Sequence, residues 1–399
     1  MKIGMIVDND FDNDPRVGQE IALLLKKGYK IYVLCFGYTH QQYQNNDRPL
    51  TIDRIPINQK IKGILFAVQN RFPIYVWLWQ WHIKKFIEKH QLDVVHCHDL
   101  YMSTPTRRGI KQASNRPTMI LDLHENFAQA ILSYSWAKAP LKRLLSNPRA
   151  WQKKEEKSLA QADYTVVLSQ AYKEVLLQRY AFLSADRIIV HPNVISFEKF
   201  AEYSIDDSLE KHPRFTLLYF GGVAERRGIF ESIEALKETL KQNKNIRLLI
   251  IGPVDKADRK RFQAAIQQST VKNHITYIPW IDISQLPSYL HISDACLAPF
   301  HKNPQHESGV ANKIFQYMYG KKAIIASHCK PQQDLIEAAN CGLIFSNLEE
   351  YVACIAQLAN NPQRTKQLGL NGHQYLMRHF APSDHPKPLE ELYEKIQDK

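Results

Sequence analysis

No stretch of the chain is apolar for long enough to cross a bilayer: the longest apolar-aromatic run, 72–81, is about ten residues, where a span needs roughly 20. Residues 1–7 carry no signal-peptide pattern, since their apolar residues run straight into Asp8, Asp10 and Asp12. A cytoplasmic chain is therefore expected, either free or peripheral on the cytoplasmic face of a membrane. The six cysteines form no CxxC pair, which argues against a zinc ribbon and a thioredoxin-like site. Cys35, Cys97 and Cys296 sit inside apolar strand-like runs and read as buried thiols of a reducing compartment. The Walker A lysine loop and the GxGxxG dinucleotide fingerprint are both missing. No short-period repeat, RNP-like pattern or helix-turn-helix pattern appears, and the basic residues are spread over both halves, so nucleic acid is not expected as a partner.

What is present is charge of one sign in excess. Lys and Arg number 52 against 40 Asp and Glu, a formal net charge of +12, which favours an anionic partner such as a phosphorylated substrate or an anionic lipid face. A length of 399 residues suits two domains, each able to bury a core.

The pattern along the chain supports that division. Near-continuous apolar runs at 2–7, 30–36, 93–98, 119–124, 164–169 and 187–192 alternate with helical periodicity, as in a parallel sheet covered on both faces. The stretch 196–213 is polar and acidic without a clear period and reads as a linker. A second alternating set follows at 215–221, 247–252, 274–279, 294–300, 322–327 and 342–345, with helices at 228–242, 309–319 and 348–360. A last helix, 386–397, comes after a proline-rich break. The expected fold class is α/β, with two Rossmann-like doubly wound parallel-sheet domains and a cleft between them. The domains are 1–195, a linker at 196–213, and 214–381, with 382–399 packing back on the first.

Open α/β sheets bind ligands at the carboxyl ends of their strands. Three such ends are rich in polar residues. The first, 8–16, offers Asp10, Asp14 and Arg16: Asp14 is an N-cap with Pro15 at the first helical position, while the loop's carboxylates suit sugar hydroxyls and Arg16 a phosphate. Its alternating aspartates do not make a calcium loop, which needs Gly where Asn13 stands and Glu where Gln19 stands. The second pairs His96, His98 and Asp99 with Asp122, His124, Glu125 and Asn126. An i, i+2 histidine pair turns both rings to one face of a strand, and its ordinary role is a hydrogen-bonded core feature. The third, Gly221, Gly222, Arg226 and Arg227, opens a helix; small residues and a helix N-terminus admit an anion, and two arginines suit a diphosphate. Residues 306–318 enter a further helix whose N-terminus faces the same way.

With these motifs in this order the chain resembles the GT-B glycosyltransferases, specifically the large retaining group called family 4. The matching segments run nearly end to end: Asp14-Pro15-Arg16-Val17, Val94-Val95-His96-Cys97-His98-Asp99, Asp122-Leu123-His124-Glu125, Tyr219-Phe220-Gly221 with Arg227-Gly228, Leu249-Ile250-Ile251-Gly252-Pro253, and Asn312-Lys313-Ile314-Phe315-Gln316-Tyr317-Met318 followed by Ala323-Ile324-Ile325-Ala326-Ser327. The resemblance implies transfer of a sugar from a nucleotide-diphosphate sugar, with no metal and no other cofactor, in polysaccharide or glycolipid biosynthesis. It places His124 beside the transferred sugar as the catalytic-site residue. It gives the donor's diphosphate and sugar to Gly221, Gly222, Arg226, Arg227, Glu307, Ser308, Asn312 and Lys313, the ribose to Gln316, and the base to Pro279 and Trp280. Acceptor-side candidates are Asp10, Asp14, Arg16, His98, Glu125 and Asn126, for a carbohydrate or lipid-linked saccharide. Two positions depart from the family pattern. Gln316 stands where a glutamate normally meets the ribose, and an amide bonds a hydroxyl less strongly than a carboxylate does. Gly222 stands where a basic residue is usual, for which Arg226 is the candidate substitute.

An anionic membrane face is a further candidate partner. In the helix around 77–89, Trp79, Ile83, Phe86 and Ile87 form the core stripe, and Trp77 and Trp81 fall opposite with Lys84 and Lys85. Lys138, Lys142, Arg143, Arg149, Lys153 and Lys154 add positive charge. The rival readings are a nucleotide-sugar epimerase of similar fold and a catalytically weak nucleotide-sugar-binding protein.

Overall fold

The computed structural model describes every residue except 39–49, 70–71, 131–147, 383–386 and 399. It divides into two compact units, Met1–Pro192 with Asp384–Lys399, and Asn193–Ser383, each built on one all-parallel sheet.

The first unit carries β1 (Lys2–Ile6), β2 (Lys30–Gly37), β3 (Leu50–Pro56), β4 (Val94–His98), β5 (Thr118–Leu123), β6 (Tyr164–Val167) and β7 (Ile188–Val190). Their order is β3-β2-β1-β4-β5-β6-β7. It reverses between β1 and β4, which pair Ile3 with Val94 and Ile6 with Cys97. Connections leave to opposite faces at such a reversal and open a crevice at the strands' carboxyl ends. The helix Pro15–Lys26 starts on Asp14, whose side chain accepts from the Arg16 and Val17 N–H groups. In the helix Ile74–His90, Trp79, Ile83, Phe86 and Ile87 are buried, while Trp77 and Trp81 are 57 % and 51 % exposed. The helix Pro388–Gln397 belongs to this unit and buries Leu389, Leu392 and Tyr393 in the cluster that holds Ile3, Val94 and Ile120.

The second unit carries β8 (Phe215–Phe220), β9 (Ile246–Ile251), β10 (Ile275–Ile278), β11 (Ala295–Ala298), β12 (Ala323–Ser327) and β13 (Gly342–Phe345), in the order β10-β9-β8-β11-β12-β13. Successive residues of β8 enter different cores, Leu217 and Tyr219 one and Leu218 the other, because both faces of the sheet are covered. Here the reversal lies between β8 and β11.

Several elements differ from the sequence expectation. β3 is an additional edge strand; Asp53 and Arg54 interrupt its apolar pattern, and Ile55 is its one residue in the core cluster. The stretch 196–213 is not simply a linker. Its helix Phe197–Glu202 places Phe200 in the second unit's core, with the Phe200 ring 5.5 Å from Tyr319. Phe197, Phe200 and Tyr203 share one helical face that the surrounding acidic residues mask. The helix expected from residue 309 begins at Asn312.

Candidate functional site

In the second unit, β8 ends at Phe220 and the chain turns through Gly221, at φ 110°, toward the short turn Glu225–Arg227 and the helix Ile229–Thr239. Two neighbouring glycines are dictated by space. A Cβ on Gly228 would stand 1.7 Å from the Pro299 carbonyl oxygen, and one on Gly252 would stand 2.1 Å from that of Gly221.

Lys313, at the second position of the helix Asn312–Tyr319, reaches this turn from β11's side. Its buried Nζ lies 4.3 Å from the Tyr219 ring centre and 5.1 Å from that of Phe300, with no hydrogen-bond partner among the described residues. A Cβ on Gly222 would meet the Arg227 guanidinium at 3.1 Å. It is therefore Arg227, not Arg226, that occupies the space beside Gly222; Arg226 extends toward Gln305 Oε1 at 3.5 Å. Burial and the Arg227 charge push the Lys313 ammonium well below the usual lysine value. A buried ammonium beside a guanidinium is electrostatically incomplete, and an anion on the Gly221–Gly222 backbone would complement it.

The other donor-side candidates surround this point unevenly. Asn312 Oδ1 is buried without a partner, and Gln316 is buried farther along the same helix. Ser308 donates to the Gln305 carbonyl at 2.7 Å. Glu307 accepts from the Lys330 N–H at 2.9 Å, which turns its carboxylate toward the start of the helix Lys330–Ala338. Pro279 is exposed just past β10, and Trp280 is 69 % exposed, a free aromatic face.

In the first unit, the ends of β4 and β5 converge on one buried carboxylate. Asp122 Oδ2 lies 2.9 Å from Arg16 Nη2, 3.5 Å from His124 Nε2, 3.7 Å from His98 Nδ1 and 3.8 Å from His96 Nε2. His98 Nδ1 lies 3.1 Å from His124 Nε2, the His96 and His98 rings stack at 4.5 Å, and His96 Nδ1 meets the Tyr393 hydroxyl at 2.7 Å. Burial opposes the charge on Asp122, but Arg16 and His124 outweigh it and hold the carboxyl well below its usual range. Burial likewise disfavours the His124 imidazolium, yet Asp99 and Asp122 raise it to about 9. His124 is the one partly exposed member, its side chain 19 % accessible. Its Nδ1 is 3.8 Å from Asp99 Oδ1. Asp99 itself adopts φ 71°, a conformation costly for a non-glycine residue, and its Oδ2 accepts from the Tyr101 hydroxyl at 2.7 Å.

Glu20, His96, His98 and Asp122 each offer a metal-ligand atom within 4.8 Å of the others. The cation among them is the Arg16 guanidinium, with its Nε 3.2 Å from Glu20 Oε1 and its Nη2 on Asp122. That arrangement is an ion network centred on arginine.

The acceptor-side expectation needs correction on this ground. Arg16 is buried against Asp122 and Glu20 and also donates to the His191 carbonyl, so it does not present a guanidinium to a phosphate. Its partners, 106 residues apart in sequence for Asp122, have no local signature. Asp10 is paired with Arg54 at 2.6 Å, and Asp14 is used as the helix cap. His98 is buried, and Asn126 is buried with its Oδ1 unpartnered. Glu125 is part-buried beside them. Sequence reasoning did not single out Asp8, two residues past the end of β1. Asp8 is buried, pairs with Lys62 at 3.2 Å, accepts from the Tyr75 hydroxyl, and is pushed up to about 7 by burial against the pull of Lys62. Lys138, Lys142 and Arg143 lie outside the described residues. No helix among the described residues is long and apolar enough to cross a membrane.

Comparison with known proteins gives the family and the fold. Residues 18–199 match the family described as Glycosyltransferase Family 4, and residues 202–375 match Glycosyl transferases group 1. The chain is 21 % identical over 332 residues to the human alpha-1,3/1,6-mannosyltransferase ALG2, covering 78 % of this chain and 75 % of that protein. Its fold is similar to that of the sucrose-phosphate synthase of Thermosynechococcus elongatus, with a TM-score of 0.74, 17 % identity and 95 % of each chain covered. It is also similar to that of HepE from Anabaena in complex with UDP, with a TM-score of 0.68, 13 % identity, and 100 % and 99 % coverage.

Proposed function

The chain belongs to the GT-B glycosyltransferases of the family 4 type and uses a nucleotide-sugar donor, and from that membership we propose that it transfers the sugar with retention, without a metal, to a carbohydrate or lipid-linked saccharide. The observation that carries the donor assignment is the convergence of Lys313 and Arg227 on Gly221–Gly222. In the proposed step the bond from the anomeric carbon to the diphosphate oxygen breaks. The acceptor oxygen bonds to that carbon on the same face, and its proton passes to the departing phosphate. Arg227 and Lys313 stabilise the leaving diphosphate; one preorganised contact of this kind is worth roughly 2.7–4 kcal/mol. Gln316 holds the ribose, Trp280 stacks on the base, and His124 lies beside the transferred sugar.

We further propose that the chain works on an anionic membrane face, in polysaccharide or glycolipid synthesis. Trp77, Trp81, Ile61 and Ile64 are each more than half exposed, and Lys85 lies 3.7 Å over the Trp81 ring. Aromatic rings mixed with lysines suit a headgroup layer.

Calorimetric titration with UDP, GDP, dTDP, ADP and CMP, with and without EDTA, tests the donor reading. Selective binding of one nucleoside diphosphate that survives EDTA supports it. Binding of none, or binding lost with EDTA, contradicts it.

A further inference from the structure

We propose that Asp122 is the positioning residue of the histidine site: its buried carboxylate, held by Arg16, aims the His124 ring and keeps that ring a hydrogen-bond donor toward whatever sugar occupies the site. The proposal rests on the reading of His124 as the residue beside the transferred sugar, and it adds what sets the state of that ring.

The geometry carries it. Asp122 is fully buried at the end of β5, two residues before His124, and its Oδ2 is a shared node for four side chains. Arg16 grips both oxygens, at 3.1 Å and 2.9 Å, so the carboxylate cannot rotate away. The remaining groups around His124 are arranged to accept from it or to leave it charged. His98 Nδ1 stands 3.1 Å from Nε2, and Asp99 Oδ1 stands 3.8 Å from Nδ1. Glu20, behind Arg16, is pushed up to about 7 by burial, so its charge answers Arg16 only in part. Arg16 is then left as the counter-ion of Asp122; its own charge opposes the imidazolium, and the carboxylates of Asp99 and Asp122 together outweigh it. His96 closes the back of the network: its Nε2 faces Asp122 at 3.8 Å and its Nδ1 meets Tyr393 at 2.7 Å, which ties the last helix to the same node.

An aspartate behind a histidine that bears a partly exposed face fixes ring orientation and protonation together. Neutral His124 presents one N–H, whereas the imidazolium presents two, so its solvent-facing side donates whatever the tautomer.

Nuclear magnetic resonance of the imidazole 15N and 13C signals tests this without an activity assay. In the unaltered protein the His124 titration midpoint lies near 9. In Asp122→Asn, which keeps the shape and removes the charge, it falls by roughly one pH unit or more. The high-pH limb of kcat falls with it, while KM for the donor stays within about twofold. A His124 midpoint in the unaltered protein at or below 6.5 overturns the proposal, and so does a midpoint unmoved in Asp122→Asn. If Asp122→Asn fails to fold, the unaltered protein's midpoint still decides. Full activity in His124→Ala would instead sink the reading of His124 and leave the titration result standing.

Discussion

Lys313 Nζ and Arg227 Nη1 lie 3.5 Å and 3.9 Å from the single point where a Cβ on Gly221 would stand. Two cations from separate elements thus share one backbone turn at the switch point of the second sheet. Because Lys313 is held well below its usual value by burial and by Arg227, an arriving diphosphate draws a proton onto it. Nucleotide binding is therefore accompanied by proton uptake wherever burial leaves Lys313 partly deprotonated. Calorimetry in buffers of differing ionisation enthalpy checks this: the apparent enthalpy varies with the buffer, and in Lys313→Met it does not.

The glycines of that turn are not equivalent. Gly228→Ala forces a Cβ against the Pro299 carbonyl at a backbone angle that disfavours alanine, and it should destabilise by about 3 kcal/mol or more in urea denaturation. Gly222→Ala meets only the flexible end of Arg227 and should cost less than about 1 kcal/mol of stability while weakening nucleotide binding. Equal destabilisation by the two would contradict the packing described.

Activity that needs the His124 imidazolium is lost as pH rises through about 9. The sign for stability is the same. The folded value is raised above the unfolded one, so this contribution is whole below about 6.5 and gone above about 9. A pH–rate profile of kcat/KM that stays level to pH 10 would remove the imidazolium from the account.

Gln316→Glu restores a carboxylate to a buried position on the helix that carries Lys313. A charged hydrogen bond to ribose is about twice as strong as a neutral one, and nucleotide affinity should rise roughly tenfold in calorimetry. An affinity unchanged by the substitution would mean that Gln316 does not meet the ribose.

The strands and their carboxyl ends were legible in the sequence to within a residue or so because a buried parallel strand is written as a near-continuous apolar run, as at Lys2–Ile6 and Phe215–Phe220. The pairing of side chains across those ends was not. Arg16 reads as a loop residue free to meet phosphate, and only the fold brings it to Asp122. β3 was hidden by Asp53, whose carboxylate is drawn off by Lys89 and His90. The helix Pro362–His379 was hidden by Gly369 and Gly372. Gly369 is there because a Cβ would stand 2.1 Å from the Lys321 carbonyl, a constraint no local pattern announces.

The membrane reading predicts that Trp77→Ala with Trp81→Ala lowers flotation with anionic liposomes several-fold and leaves transfer to a water-soluble acceptor intact, since both rings are exposed. Flotation that does not depend on anionic lipid would contradict it.

The central claim is that Arg227 and Lys313 stabilise a departing nucleoside diphosphate. Single-turnover transfer from the nucleotide sugar selected by calorimetry, compared between the unaltered protein and Arg227→Ala, tests it most directly. The account predicts a rate lower by about 10²-fold in the variant; an unchanged rate would contradict it.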